Sequence, residues 1–593
     1  MRETYRTTFA WLVLGAAVLA LAVSAPWAAA SPQLRAAPLS PAFLRYRADF
    51  KLRHALGLDR VPGFRPGLIP SPLDASAFGG ARLAAAARAS YPASYDLRDH
   101  GKVSAVREQQ PYGTCWAFAT FGSLESCLLP GEPRDLSEDN LTLNAGFDTD
   151  GGPYDHGGSF NMAAAYLIRW SGPVDESADA YGDGTTPPGL TAATHVQEVL
   201  YIPGGKEASD TANIKYALTT CGAVATTIYW DDAYYNAVAG GYYYGGRSDA
   251  NHAVTIVGWD DGFAASNFAS PPPGDGAWLV KNSWGTGWGQ SGFFWASYYD
   301  RYCGAAAGFN AVFDGAEPTS NYGDIYSYDP LGETNTYGFS STTAWGANVF
   351  TARSTASIAA VGFFTHVPNE TYTVYAGASL QTLQAKGSAA IGTPGFHTVR
   401  LSSPLPVNGG NDFVVAVRLT SPENNYPLAI ENAELSYSSA ASASPGQSYV
   451  SYDGVDWTDL TDWDDSANLC LNAYTTASGP VPTPSPSQTP PADAVGPECA
   501  AKSVSILQGR TCKLFFRVHD DQSAVVTKHL AVTTKSGVVK MGRSWDYRAN
   551  VDGWWSIRYT CSLPRGTYLI VVTGEDLVGN RASKVGKATL TVR

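Results

Sequence analysis

The chain is poor in cysteine, methionine and charge. Its 593 residues hold eight cysteines and three methionines, and only 16% are Asp, Glu, Lys or Arg, against roughly 25% in an average soluble protein. No two cysteines lie within four positions of each other. That spacing excludes CxxC redox pairs, Cys-rich zinc modules and a dense disulfide scaffold. HExxH, GxxxxGK[ST] and GxSxG are also missing, which sets aside zincin, P-loop and serine-hydrolase chemistry. Positive charge is short as well: 40 Lys and Arg against 53 Asp and Glu leave −13, so nucleic acid and anionic lipid are not expected partners. No metal and no cofactor is expected.

What is present is apolar, aromatic and turn-rich. Apolar residues make up 44% of the chain, with 60 Gly, 33 Tyr and 16 Trp, which suits several cores and a largely β architecture; length alone suggests about four domains. Arg2 and Arg6 precede an apolar run at residues 9–23, and Ala28-Ala29-Ala30 follows. A basic start, a short apolar core and a small-residue exit predict a secretory signal peptide over residues 1–30. An uncleaved anchor is the alternative, but the run is short for a spanning helix. No second long apolar stretch occurs, so an exported chain without an integral membrane anchor is expected, secreted or associated with a cell surface.

Composition divides the remainder. Residues 31–90 carry +6 and leave −20 for residues 91–593, the charge pattern of a leader or prosegment docked electrostatically on an acidic body. A loose Ala/Pro-rich spacer fits the same charge, and Gly67-Leu68-Ile69-Pro70-Ser71-Pro72 could lie along the body as an extended strand. Residues 91–316 mix helical and β patterns, as an α+β domain does. Residues 317–476 read as short strands separated by turns, a β-sandwich. Residues 477–494 form a Pro/Ser/Thr linker, and residues 495–593 an all-β, immunoglobulin-like module.

Three segments of the second block carry chemistry. In Gln109-Gln110-Pro111-Tyr112-Gly113-Thr114-Cys115-Trp116, turn residues lead into a helical pattern ended by Pro130-Gly131. This puts Cys115 at a helix N-terminus, where unpaired N–H groups and the dipole favour a thiolate. A Cys115–Cys127 bridge is excluded on a continuous helix, since twelve residues span about 18 Å. Asn251-His252-Ala253-Val254 sets His252 at a strand edge, able to hold the thiol's proton. Asn282, in Lys281-Asn282-Ser283-Trp284-Gly285, can fix the imidazole tautomer while Trp284 shields that bond from water. Taken singly, each also has a bland reading: a buried structural cysteine, a packed histidine, a turn-forming asparagine.

Together these segments resemble the papain family of cysteine peptidases. The order is Cys, His, Asn, and His252 lies 137 residues beyond Cys115, inside the roughly 130–150 of that family. Asn282 lies farther out because residues 261–276 look like an insertion. Tyr95-Asp96-Leu97-Arg98 and Leu136-Ser137-Glu138-Asp139-Asn140-Leu141 resemble further family segments. The resemblance implies a two-lobed α+β papain-like domain over residues 91–316. In it Cys115 is the nucleophile, His252 the general base and acid, and Asn282 the residue orienting His252. Gln109 joins the Cys115 N–H in the oxyanion hole, Trp284 covers the Asn–His bond, and Gly157 and Gly158 line the substrate cleft. The implied activity is hydrolysis of polypeptide substrates as a thiol endopeptidase. Two family cysteines are absent, at Tyr112 and Asp155, which fits loss of one disulfide with no effect on catalysis.

Within the family, Pro70-Ser71-Pro72-Leu73-Asp74, Asn321-Tyr322-Gly323-Asp324-Ile325-Tyr326 and Tyr328-Asp329-Pro330-Leu331-Gly332 resemble a bacterial and archaeal group with a C-terminal lectin-like domain. That implies a jelly-roll-like sandwich able to bind a cell-surface glycan or protein. Tyr449 and Trp457 can stack on a sugar or pack in a core. A silent peptidase-like scaffold of an adhesin is the competing class, and a transamidase using the same acyl-thioester is a third. In the last module a Cys512–Cys561 disulfide is expected, with Cys499–Cys512 as the competing pair.

Overall fold

A computed structural model describes residues 32–56, 67–74, 81–88, 90–149, 152–476, 498–519, 525–536, 538–549, 554–575 and 581–593. The expected signal peptide and the proline-rich linker lie outside the described residues. Among the described residues, no helix is long and apolar enough to cross a membrane.

The helix Cys115–Leu128 is the axis of the first lobe, and its residues from Cys115 to Ser126 are all buried. Gly122 lets it press against the sheet: a Cβ there would sit 2.8 Å from Thr255 Oγ1. It stops at Leu129, which is extended (ψ 149°), because the residue before a proline avoids the helical region. The helices Glu138–Asn144 and Phe160–Ile168 pack beside it in one core. The second lobe is a sheet of Val224–Ile228, His252–Asp260, Ala277–Lys281 and Phe293–Ser297, antiparallel in that order, around a core rich in Trp and Tyr. Residues 261–276 loop out beyond the Asp260↔Ala277 pair. The insertion therefore sits at the far end of the strand from His252 and leaves its end undisturbed.

The lectin-like region is a sandwich. One sheet runs Gln384–Ile391, Glu370–Gly377, Asp412–Thr420, Thr343–Thr351, Ser448–Ser451 and Thr458–Asp459. Its inner face packs on Ala356–Thr365, Gly395–Val407 and Leu471–Thr475 over an aliphatic and aromatic core. Gly395–Val407 also pairs with His195–Tyr201 of the first domain, so one sheet of 13 strands is continuous through both. Tyr449 and Trp457 are half-buried on the outer face against Val349 and Tyr375.

The last module is two facing sheets, Glu498–Ala501/Thr511–His519/Trp555–Thr560 and a five-stranded partner, over a shared core. The disulfide expectations fail here: all eight cysteines are free thiols. Cys512 lies opposite Tyr559, so Cys561 is its diagonal neighbour, about 7–8 Å away between Cα atoms, and a disulfide needs about 4.4–6.8 Å. Cys499 lies opposite Val518, six residues along the strand from Cys512, or about 20 Å.

Candidate active site

Cys115 is the first residue of its helix and is fully buried. The N-cap, Thr114, makes no side-chain cap bond; its hydroxyl is held by Tyr181 Oη at 2.5 Å. The Cys115 and Trp116 N–H groups at the helix start are thus not claimed by a cap side chain and act on the thiol. Ala253 N–H donates to Cys115 Sγ at 3.4 Å. Burial nonetheless pushes the thiol up to about 12, with the Ala253, Trp116 and Cys115 N–H groups acting the other way. The thiolate expected from helix position alone is therefore opposed in this state, because something covers the sulfur.

Residues 67–69 of the leader lie across this region. Ile69 N–H donates to Gly158 O at 2.8 Å, Gly158 N–H to Gly67 O at 2.9 Å, and Leu68 N–H to Asn251 O at 3.2 Å. Gly67 (φ +84°) approaches so closely that a Cβ would lie 2.0 Å from Gly113 O. The extended segment thus threads between Gly113, Gly157–Gly158 and Asn251, across the mouth of the site. A cavity of about 230 Å³ lies beneath it, lined among others by Phe160, Thr227, Ala250 and Phe309. Farther back, the helix Pro41–Leu56 buries Phe43 edge-on to Tyr437 at 5.3 Å, and Arg45 and Arg47 pair with Asp249 and Glu434. Arg35–Ala36 pairs with strand Asn335–Gly338. The leader thus touches both the first domain and the sandwich, burying Leu34, Phe43, Ile69 and Leu83 beside the ion pairs of Arg45, Arg47 and Arg82.

His252 opens the strand His252–Asp260 and is fully buried. Its Nε2 lies 2.9 Å from Asn282 Oδ1, so Nε2 donates to the amide oxygen. Trp284 stacks on the ring with centroids 4.8 Å apart and is itself held edge-on by Trp230 and Trp288. Asn282 Oδ1 also accepts from Ser283 N–H at 2.9 Å, which fixes the amide's orientation. Behind it, Lys281 Nζ donates to Ser104 Oγ at 2.8 Å; burial draws its pKa down while Glu125 and Glu138 hold it up. Since Glu125 lies on the Cys115 helix, this buried charge cluster locks helix and Asn282 strand together.

Gln109 is fully buried. Its Nε2 donates to Tyr112 O at 2.9 Å and its Oε1 accepts from Ser283 Oγ at 2.6 Å. The serine fixes which end of the amide presents N–H, and one N–H remains for a ligand. Ser283 lies in the Lys281–Gly285 segment, but the sequence alone gives no sign of its bond to Gln109. Tyr181, whose hydroxyl donates to Gln109 O at 2.8 Å, carries no signal in the sequence. Where the family's disulfide is absent, Tyr112 stacks on Tyr154 at 4.4 Å and Gly113 N–H donates to Tyr154 O at 2.9 Å.

Residues 91–312 match the Papain family cysteine protease family, and residues 325–475 match the Lectin like domain. The chain thus carries a papain-family peptidase domain followed by a lectin-like domain. Among curated proteins it is 32% identical to a cathepsin L-like peptidase of Aedes aegypti over 227 residues, 37% of this chain and 63% of the relative. It is 31% identical to cathepsin K of Mus musculus over 212 residues, 34% and 58% respectively. The chain therefore spans less than two thirds of these relatives. The solved structure of the cysteine protease and lectin-like domains of Cwp84, a surface layer associated protein of Clostridium difficile, superposes with a TM-score of 0.61 at 25% identity, covering 75% of this chain and 98% of that one. A structure of the clostridial protease Cwp84 after propeptide cleavage gives 0.56 at 25% identity, over 64% and 98%.

Proposed function

We propose that the chain is an exported cysteine endopeptidase, made as a zymogen, whose lectin-like domain holds it at a surface or glycan. The observation carrying this reading is the run of buried hydrogen bonds from Ala253, beside His252, to Cys115, from His252 to Asn282, and from Ser283, beside Asn282, to Gln109. Nδ1 of His252 takes the Cys115 proton, and Sγ attacks the scissile carbonyl carbon. The oxyanion is held by Gln109 Nε2–H and the Cys115 backbone N–H. Collapse breaks the C–N bond as His252 returns the proton to the leaving amine. A water, deprotonated by His252, then hydrolyses the thioester. Gly157 and Gly158 bind extended peptide backbone, a role supported by the leader segment lying against them.

Residues 31–90 are the inhibitory prosegment, as their passage across the cleft supports; residues 1–30 are the signal peptide and 477–494 the spacer before the last module. Surface attachment is supported by the likeness to a surface layer associated protein. The test is labelling by a thiol-reactive epoxide, before and after leader removal. Labelling that appears on removal and vanishes in Cys115→Ala supports the reading. A leader-free chain that is never labelled points to a silent scaffold instead.

A further inference from the structure

Behind the oxyanion loop, three carboxylates meet without a counter-charge. One oxygen each of Asp139, Asp179 and Asp183 lies within 4.8 Å of the others. Asp139 and Asp179 are 0% and 2% exposed, Asp183 is at the surface. Asp139 Oδ1 accepts from Tyr154 Oη and from Gly182 N–H, and Asp179 Oδ2 accepts from Asn140 Nδ2 at 2.7 Å. Asp183 Oδ1 accepts from the N–H and hydroxyl of Thr185. The remaining oxygens, Asp139 Oδ2 and Asp179 Oδ1, are buried and have no hydrogen-bond partner. Among the described residues, no Lys or Arg pairs with any of the three. Two buried carboxylate oxygens left bare are costly unless a proton or a cation meets them.

We infer that Asp139, Asp179 and Asp183 form a binding site for a divalent cation, of which Ca²⁺ is the best fit. The donors are all hard oxygens. The three oxygens lie close enough for one ion to bridge them, and a set of three carboxylates completed by water suits the flexible coordination of Ca²⁺ better than the regular octahedron that Mg²⁺ demands. Asp183 at the surface gives the ion a way in and leaves room for water ligands. The sequence reading expected no metal, since aspartates 40 and 44 positions apart form no local motif.

The ion has a mechanical consequence that rests on the peptidase reading. Asp179 and Asp183 flank Tyr181, which holds the Gln109 carbonyl and the Thr114 hydroxyl. Tyr154, bonded to Asp139, anchors Gly113 through its carbonyl. Tying the three carboxylates together therefore stiffens the loop that presents the oxyanion hole, which makes them positioning residues.

The test is a calcium titration of the leader-bearing Cys115→Ala chain, read by calorimetry, by Tb³⁺ luminescence sensitised through Tyr154 and Tyr181, and by Tm with and without chelator. Saturable binding in the range of about 10⁻⁵–10⁻³ M, with Tm raised by about 2–4 °C, is expected. Asp183→Asn keeps the Thr185 contacts and should weaken binding at least about tenfold with an unchanged chelator-treated Tm. No heat and no Tb³⁺ signal overturns the site, as does a response that Asp183→Asn and Asp179→Asn both leave intact. Because this form is inactive by design, failure of the peptidase reading leaves the titration unaffected. In the active chain, chelator should lower kcat more than it changes KM, and Asp183→Asn should remove that sensitivity.

Discussion

Gln109 answers two demands with one amide. Its oxygen is tied to Ser283 Oγ at 2.6 Å and its nitrogen to Tyr112 O at 2.9 Å, which leaves one N–H for the proposed oxyanion hole. Gln109→Ala should lower kcat by roughly 10²–10³, the effect of deleting one such donor. Ser283→Ala frees the amide to flip and should lower kcat by about tenfold with KM little changed; steady-state kinetics on a peptide substrate checks both. The thiol offers a second test. Burial raises its pKa to about 12 under the leader, so at neutral pH Cys115 is held as the neutral thiol. A raised thiol pKa keeps the neutral form dominant until pH approaches that value. Alkylation of the leader-bearing chain by iodoacetamide should therefore be slow at neutral pH and climb steadily with pH. After leader removal it should be fast at pH 6–7 and much flatter. Equal rates before and after removal would show that the leader does not set the thiol's environment.

The element proposed to decide access is the extended leader segment. Its grip depends on glycine at one point: Gly67 has φ +84° and a Cβ there collides with Gly113 O at 2.0 Å. Gly67→Val should lift the segment from the cleft and let the unprocessed chain react with an active-site probe, with the rest of the fold intact. Unchanged, negligible labelling would mean that something other than this segment blocks the site. The residues of the cleft were legible in sequence because their chemistry is local: a turn into a helix before Cys115, a polar residue opening an apolar strand at His252, a Trp/Gly loop after Asn282. The supporting groups were not. Tyr181 and Tyr154 act through contacts 72 residues from Gln109 and 15 residues from Asp139, and no local pattern announces such a pairing. The disulfide expectation failed for a related reason: spacing along the chain cannot give strand register, and register sets Cys512 opposite Tyr559 rather than Cys561.

At the scale of the whole molecule, the domain over residues 91–316 and the sandwich after it share one sheet, since the strand Gly395–Val407 pairs with His195–Tyr201. A buried polar link reinforces the join: His366 Nε2 meets Glu333 Oε2 at 3.0 Å, and Glu333 Oε1 accepts from Tyr201 Oη at 2.5 Å. Burial acts to lower the His366 pKa, but the Glu333 hydrogen bond and charge outweigh it and the net shift is upward. A histidine whose folded pKa is raised contributes stability in full below its unfolded value near 6.5 and loses it as pH rises through the folded value. Tm of the two-domain unit should accordingly fall as pH rises above about 6.5, and His366→Gln should flatten that slope. A slope unaltered in His366→Gln would assign it to other groups.

The account's central claim is that Cys115 performs covalent peptide-bond hydrolysis once residues 31–90 are gone. Turnover of an unbiased peptide library by the leader-free chain, followed by mass spectrometry with Cys115→Ala and His252→Ala in parallel, tests it most directly. Cleavage by the native chain, with a trapped acyl-enzyme mass on Cys115 and loss of several orders of magnitude in both variants, is the predicted result. Cleavage that persists in Cys115→Ala, or no cleavage and no Cys115 adduct in a folded leader-free chain, would contradict it.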